Sequence, residues 1–271
     1  MAKEKRETLK SKRENKLYLH GLVLSGNGKL LDYYDEETGT DYKYAQFNTR
    51  AIIDCPFRSK GCEAVCYATK GNHRCPSVKE SRMKSYEDSK RYDFAEAMIY
   101  TIETEKTSKR YKDSVMLLRV HESGDFYSLR YLKEWVKVWK YFLEKFEETG
   151  EIIVQFPNYT KSFPFLNMLT DEEIDVINRA MRAGIVAINL SIDDTTSKEQ
   201  KIEYLKCIAR MPLLNTYGFT ENVETFEHDN VCDCADCAKC GTCNKATGKK
   251  TVVKIHSASN ADMEVYRNNV K

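Results

Sequence analysis

The chain has 271 residues, 41% of them apolar and 31% charged, with a formal net charge of +2. That is ample for a packed core, and the overall charge points to no particular partner. No apolar run is long enough to span a bilayer, and the first residues alternate in charge where a secretory signal would be continuously apolar. The expectation is a cytoplasmic protein with no membrane partner.

Residues 1–16 hold seven Lys and Arg against three Glu. They read as a basic, flexible tail, or alternatively as an arm that touches nucleic acid. Residues 17–271 are expected to form one α/β domain. Over 17–54, Gly21, Gly26, Gly28 and Gly39 punctuate short alternating segments such as LYLHGLVL, predicting a β-hairpin or two. Asp93 with Glu96 predicts a capping box for a helix burying Phe94, Ala95, Met98, Ile99 and Ile102. Val115 to Val120 reads as a strand, and residues 128–147 as a helix with Leu132, Trp135, Val136, Trp139, Phe142, Leu143 and Phe146 on one face.

EIIVQF, residues 151–156, is the next predicted strand. Thr170 with Glu173 opens a helix that stops at Gly184, and Ile185 to Ile192 follows as a strand. Ser197 with Gln200 opens a helix ending before Pro212. Leu213 to Phe219 and TVVKIH, residues 251–256, close the series. Strand and helix alternating with short connections predict an α/β fold with a mainly parallel sheet, either open or curled into a partial, irregular barrel.

Nine of the ten cysteines fall in two clusters, in loops at about 55–75 and 230–245. Cys55, Cys62, Cys66 and Cys75 read C-x6-C-x3-C-x8-C, with Pro56, Gly61 and Pro76 marking loop. Cys232, Cys234, Cys237, Cys240 and Cys243 read C-x-C-x2-C-x2-C-x2-C. A thiol every third residue cannot pair locally as unstrained disulfides, whereas one irregular loop can turn several sulfurs onto a metal. In a reducing compartment metal is the first expectation. Structural zinc sites separate two C-x2-C knuckles by a longer segment, whereas consecutive C-x2-C-x2-C wraps an iron–sulfur cluster, so a 4Fe-4S cluster is expected and zinc is the alternative. Cys75 is the member most easily spared, and Cys207, inside a helix, is a core thiol.

The loop HESGDF follows a predicted parallel strand and therefore lies at the carboxyl end of the sheet, where α/β proteins bind ligands. His121 is a candidate metal ligand or acid/base, with Glu122 and Asp125 as catalytic carboxylates. Arg119, Ser123, Tyr159, Lys161 and Ser191 are candidate cofactor-binding residues on the same rim, and Asp193 closes the third strand beside them. The bland alternatives are a cap at Ser128, a turn at Gly124 and a satisfied core histidine at His256.

Cys55-Pro56, Gly61-Cys62 and Cys66-Tyr67-Ala68, then residues 119–128 (RVHESGDFYS) and 159–162 (YTKS), resemble the phage "gene product 88" family. That resemblance runs from about residue 45 to residue 256 and implies a phage or mobile-element origin. A looser likeness is to radical S-adenosylmethionine enzymes, which also place a three-cysteine loop and sometimes an auxiliary cluster around a parallel (β/α) barrel. Here Thr69 stands where C-x3-C-x2-C requires its third cysteine, so Cys55 would have to supply it. The expected function is an iron–sulfur protein with a redox or radical site at the strand ends and S-adenosylmethionine as a conceivable cosubstrate. The alternative is a zinc-stabilised, non-catalytic module that binds nucleic acid or a host protein.

Overall fold

In the computed structural model, residues 8–26, 31–232, 241–255 and 258–270 are described. β1 (Tyr33–Asp35) and β2 (Thr40–Phe47) form the expected hairpin around Gly39, which adopts φ +67°. β2 then serves as the first strand of a parallel array with β3 (Val115–Val120), β4 (Val154–Thr160), β5 (Val186–Asp193) and β6 (Asn215–Thr220). β7 (Asn230–Cys232) and β8 (Lys250–Lys254) complete an open eight-stranded sheet in the order β1-β2-β3-β4-β5-β6-β8-β7. Among these strands every pairing except β1–β2 is parallel, and Val23 adds an isolated antiparallel bridge to Gln46.

The connections are helical. α1 (Leu9–Arg13) precedes the sheet; α2 (Lys60–Ala64), α3 (Pro76–Ser89) and α4 (Phe94–Lys106) lie between β2 and β3; α5 (Leu129–Thr149) follows β3. α6 (Phe163–Asn167) and α7 (Asp171–Arg182) follow β4, α8 (Lys198–Arg210) follows β5, and α9 (Asn260–Val270) ends the chain. Phe94 and Met98 of α4, Trp135 and Trp139 of α5, Ile177 of α7 and Cys207 of α8 share one core with Met116, Leu118, Val120, Phe156, Ile188 and Leu190. The alternate residues of the strands point to the opposite face, where Tyr44 and Leu117 pack with Tyr33 and Tyr42. Parallel strands laid down in sequential order thus keep the helices on one side and leave the other side to polar and aromatic groups.

The capping boxes at Thr170/Glu173 and Ser197/Gln200 are present, Ser128 caps α5, and Gly150 and Gly184 take positive φ beyond their helices. The box predicted at Asp93 is absent, because both carboxylate oxygens of Asp93 are held by Arg91 at 2.9 Å. β4 runs four residues past its predicted end, through Pro157. Without an N–H, that proline interrupts the β3–β4 ladder between the pairs Leu117↔Gln155 and Val120↔Asn158.

The basic arm is folded where it is described. Arg13 grips Glu105, a carboxylate buried at 0% exposure, through two hydrogen bonds of 2.7 and 2.6 Å, and the Tyr18 hydroxyl donates to the same group at 2.7 Å. No helix among the described residues is long and apolar enough to cross a membrane.

Candidate functional site

All the parallel strands present their carboxyl ends at one edge, and the segment after β2 folds back over it. Its path is fixed by buried polar contacts. Asp54, 3% exposed, accepts from the Arg50 backbone N–H at 2.7 Å and pairs with the Arg50 guanidinium, while its carbonyl accepts from Asp125 N–H at 3.0 Å. Ser59 caps α2 by accepting from Cys62 N–H at 3.1 Å and donates its own hydroxyl to Asp193 at the end of β5. Gly61 permits this approach: a Cβ there would lie 2.6 Å from the Tyr266 ring and 2.7 Å from Thr195 Oγ1.

Asp193 is the hub of the edge. Fully buried, it accepts from Lys161 Nζ at 2.7 Å, from Ser59, and from Thr195 N–H and hydroxyl at 2.8 and 2.6 Å. Burial alone would raise its pKa, but the Lys161 charge and these hydrogen bonds outweigh it and hold the carboxylate below its usual range. Lys161 also donates to the Ser191 carbonyl at 3.0 Å. Asp125, 5% exposed, accepts from Thr160 Oγ1 at 2.6 Å, Lys161 N–H at 2.8 Å and Phe126 N–H at 2.7 Å. Burial exceeds those bonds and pushes it up to about 6.

Cys55, Cys62 and Cys66 sit above these groups as free, partly buried thiols. Burial, then the charges of Asp125 and Cys62, push Cys55 well up. Burial pushes Cys62 up to about 12 against the pull of Lys161, with Cys66, Asp193 and Asp125 adding to the rise. Cys66 rises through burial as well. The three thiols therefore lie within electrostatic reach of one another. Even so, no three Cys, His, Asp or Glu side chains among the described residues are grouped to hold a metal ion, so the metal-binding loops expected from the spacing are not present as such. Cys75 is exposed at the start of α3, and Cys234, Cys237, Cys240 and His256 lie outside the described residues.

Several predicted residues serve other ends. His121 takes φ +65° and turns its ring away from the edge, packing on Phe126 and reaching the Tyr131 hydroxyl with Nε2 at 3.0 Å. Burial, and then the Arg119 charge, pull its pKa down to about 3, so the imidazole is neutral and poorly placed as acid, base or ligand for the thiol edge. Ser123 is 4% exposed and donates to the Thr49 carbonyl at 2.7 Å, a strut between the β2 and β3 loops. Glu122 stands beside them, its backbone N–H bound to Asn48 Oδ1 at 2.7 Å and its carbonyl accepting from the Tyr67 hydroxyl.

On the face opposite the α-helices, the Arg119 guanidinium stacks over the Tyr159 ring at 4.1 Å, and Tyr159 meets Tyr217 edge-on at 4.9 Å. Cys243 lies within electrostatic range of Arg119, Tyr159 and Tyr217, and Cys232 of Tyr217. The turn carrying Cys243 is pinned across this face by Asn189, which donates to the Cys243 carbonyl at 3.0 Å, and by Asn215, which donates to the Lys245 carbonyl at 2.8 Å. Tyr67, next to Cys66, is within range of Arg119 and Tyr217. Cys66 of the first cysteine group and Cys232 and Cys243 of the second thus lie around one tyrosine–arginine cluster. Sequence reading missed Ser59, Tyr67, Asn189 and Tyr217; only the Ser-Lys-Gly-Cys order at Ser59 carried a local signal, that of a helix cap.

These features define an α/β protein with an open, mostly parallel sheet and a thiol-edged polar cluster at its strand ends. The model of the Gene product 88 family matches residues 12–246, and the chain belongs to that family. No curated protein and no solved structure matches it.

Proposed function

We propose that this chain is an iron–sulfur protein in which Cys55, Cys62 and Cys66 hold one cluster at the carboxyl edge of the sheet, with the reacting substrate on the adjoining face. The observation that carries the reading is that three free thiols of the segment after β2 lie within electrostatic reach of one another and of the Asp125, Lys161 and Asp193 network. The donor set fits such a group in chemical type, since clusters are held by cysteine thiolates. Loading would turn the Cys55 and Cys66 side chains toward Cys62 of α2 and would release the protons of all three thiols.

A cluster held by Cys55, Cys62 and Cys66 would supply one-electron chemistry at this edge. The chain's own residues do the rest. Lys161 favours the thiolate of Cys62, Ser59 and Asp193 fix the helix that carries it, and Asp125 holds the β3 loop against the end of β4. Cys232, Cys234, Cys237, Cys240 and Cys243 would carry a second cluster. The sequential parallel sheet, with its three-cysteine loop directly after the first parallel strand, also supports the radical reading, with S-adenosylmethionine as cosubstrate, although the cysteine spacing departs from that class.

The test is anaerobic purification followed by absorption spectroscopy and iron, sulfide and zinc analysis. Iron and sulfide in equal amounts, reduced by about half in a Cys55, Cys62 and Cys66 to Ser variant, are expected. Stoichiometric zinc without sulfide would overturn the reading in favour of a zinc-stabilised module that binds nucleic acid or a host protein.

A further inference from the structure

Arg119 is set on the face opposite the α-helices, on β3 between Gln46 of β2 and the β4 strand. Its flat side is occupied by the Tyr159 ring. Its edge is not: Nε is buried with no hydrogen-bond partner, and no carboxylate among the described residues lies within ion-pair distance of the guanidinium. Glu122 is the acidic side chain within electrostatic range, together with Tyr67, Tyr159 and Cys243. A buried guanidinium N–H left without an acceptor is costly, and proteins pair such forks with planar oxyanions. Around it Arg119, Tyr159 and Tyr217 lie deep yet each keeps some accessible surface, and Tyr67 at the rim is 44% exposed. These residues lie together on the face, with Tyr159 between Arg119 and Tyr217.

We propose that Arg119 is the anchor of a ligand site on this face, taking the carboxylate of a small planar or aromatic molecule. The fork of Nε and a terminal nitrogen matches two carboxylate oxygens, and the rings of Tyr159, Tyr217 and Tyr67 supply faces and edges for the body of the ligand. A single fork suits a carboxylate, whereas a phosphate dianion calls for further donors. The site requires no metal, so its test stands apart from that of the cluster.

Benzoate is the probe, titrated into the full-length protein and followed by the tyrosine ultraviolet difference spectrum and by calorimetry, with benzamide and inorganic phosphate as comparisons. Saturable benzoate binding is expected, with benzamide at least tenfold weaker and Arg119→Met at least tenfold weaker. Arg119→Lys, which keeps the charge without the fork, should bind several-fold more weakly, and circular dichroism establishes that each variant is folded. Absence of saturable benzoate binding, or equal binding in both variants, overturns the site. Phosphate binding as tight as benzoate and lost in Arg119→Met overturns the carboxylate assignment.

Discussion

Lys161 and Asp193 form an ion pair of 2.7 Å with side chains only 6% and 0% exposed, joining the carboxyl ends of β4 and β5. Removing one partner strands the other charge in the interior, at a cost of about 3–5 kcal/mol. Lys161→Met and Asp193→Asn should each lose that order of stability in urea unfolding. The double variant should lose clearly less than the sum. Additive losses would show that the two side chains act independently.

Gly124 adopts φ +80°, and a Cβ on it would lie 1.9 Å from Thr49 Oγ1 and 3.0 Å from the Thr49 carbonyl carbon. Gly124→Ala should therefore destabilise by about 2 kcal/mol or more, combining left-handed strain with the clash. Because backbone as well as hydroxyl is in the way, adding Thr49→Ala should restore only part of the loss. Full rescue would mean that the hydroxyl alone is the obstacle.

His121 carries a pKa lowered to about 3. A base depressed in the folded state contributes stability that is present above its unfolded pKa near 6.5 and is lost as pH falls toward the folded value. Imidazole nitrogen shifts should show a neutral ring down to about pH 4. Between pH 6.5 and 4, wild-type stability should fall more steeply than that of His121→Asn. A ring titrating near 6.5 would contradict the buried placement.

Ser59 joins the Cys62 amide to Asp193. Ser59→Ala removes a helix cap and a bond to a buried carboxylate, for a loss of about 1–2 kcal/mol. Cys62, protected now by burial and a pKa near 12, should alkylate several-fold faster with iodoacetamide in that variant, as read by mass spectrometry. An unchanged rate would place the protection elsewhere.

What could be read from the sequence was whatever had a local cause. Thr170 with Glu173 and Ser197 with Gln200 announce their helices because the capping contacts span three residues. α3 gave no such notice: its buried residues are Arg82, Ser85 and Ser89, so no apolar period marks it. The end of β4 was misplaced because Pro157 reads as a terminator, yet here it sits inside a strand whose neighbours tolerate a missing donor. At the site, strand ends and thiols were legible, and Lys161 and Asp125 came out at the edge as expected. His121 was misread because its direction depends on a positive φ that spacing does not encode. Asp193 was seen only as a strand end, since its tie to Ser59 joins residues 134 apart.

That same separation has a consequence in time. A ribosome adding about 5–20 residues per second needs roughly 7–27 s to pass from Ser59 to Asp193. For most of that interval Cys55, Cys62 and Cys66 are part of the nascent chain without the strand that later anchors α2. Delivery of a metal or cluster, or oxidation of the thiols, has its easiest access to them while synthesis is still under way.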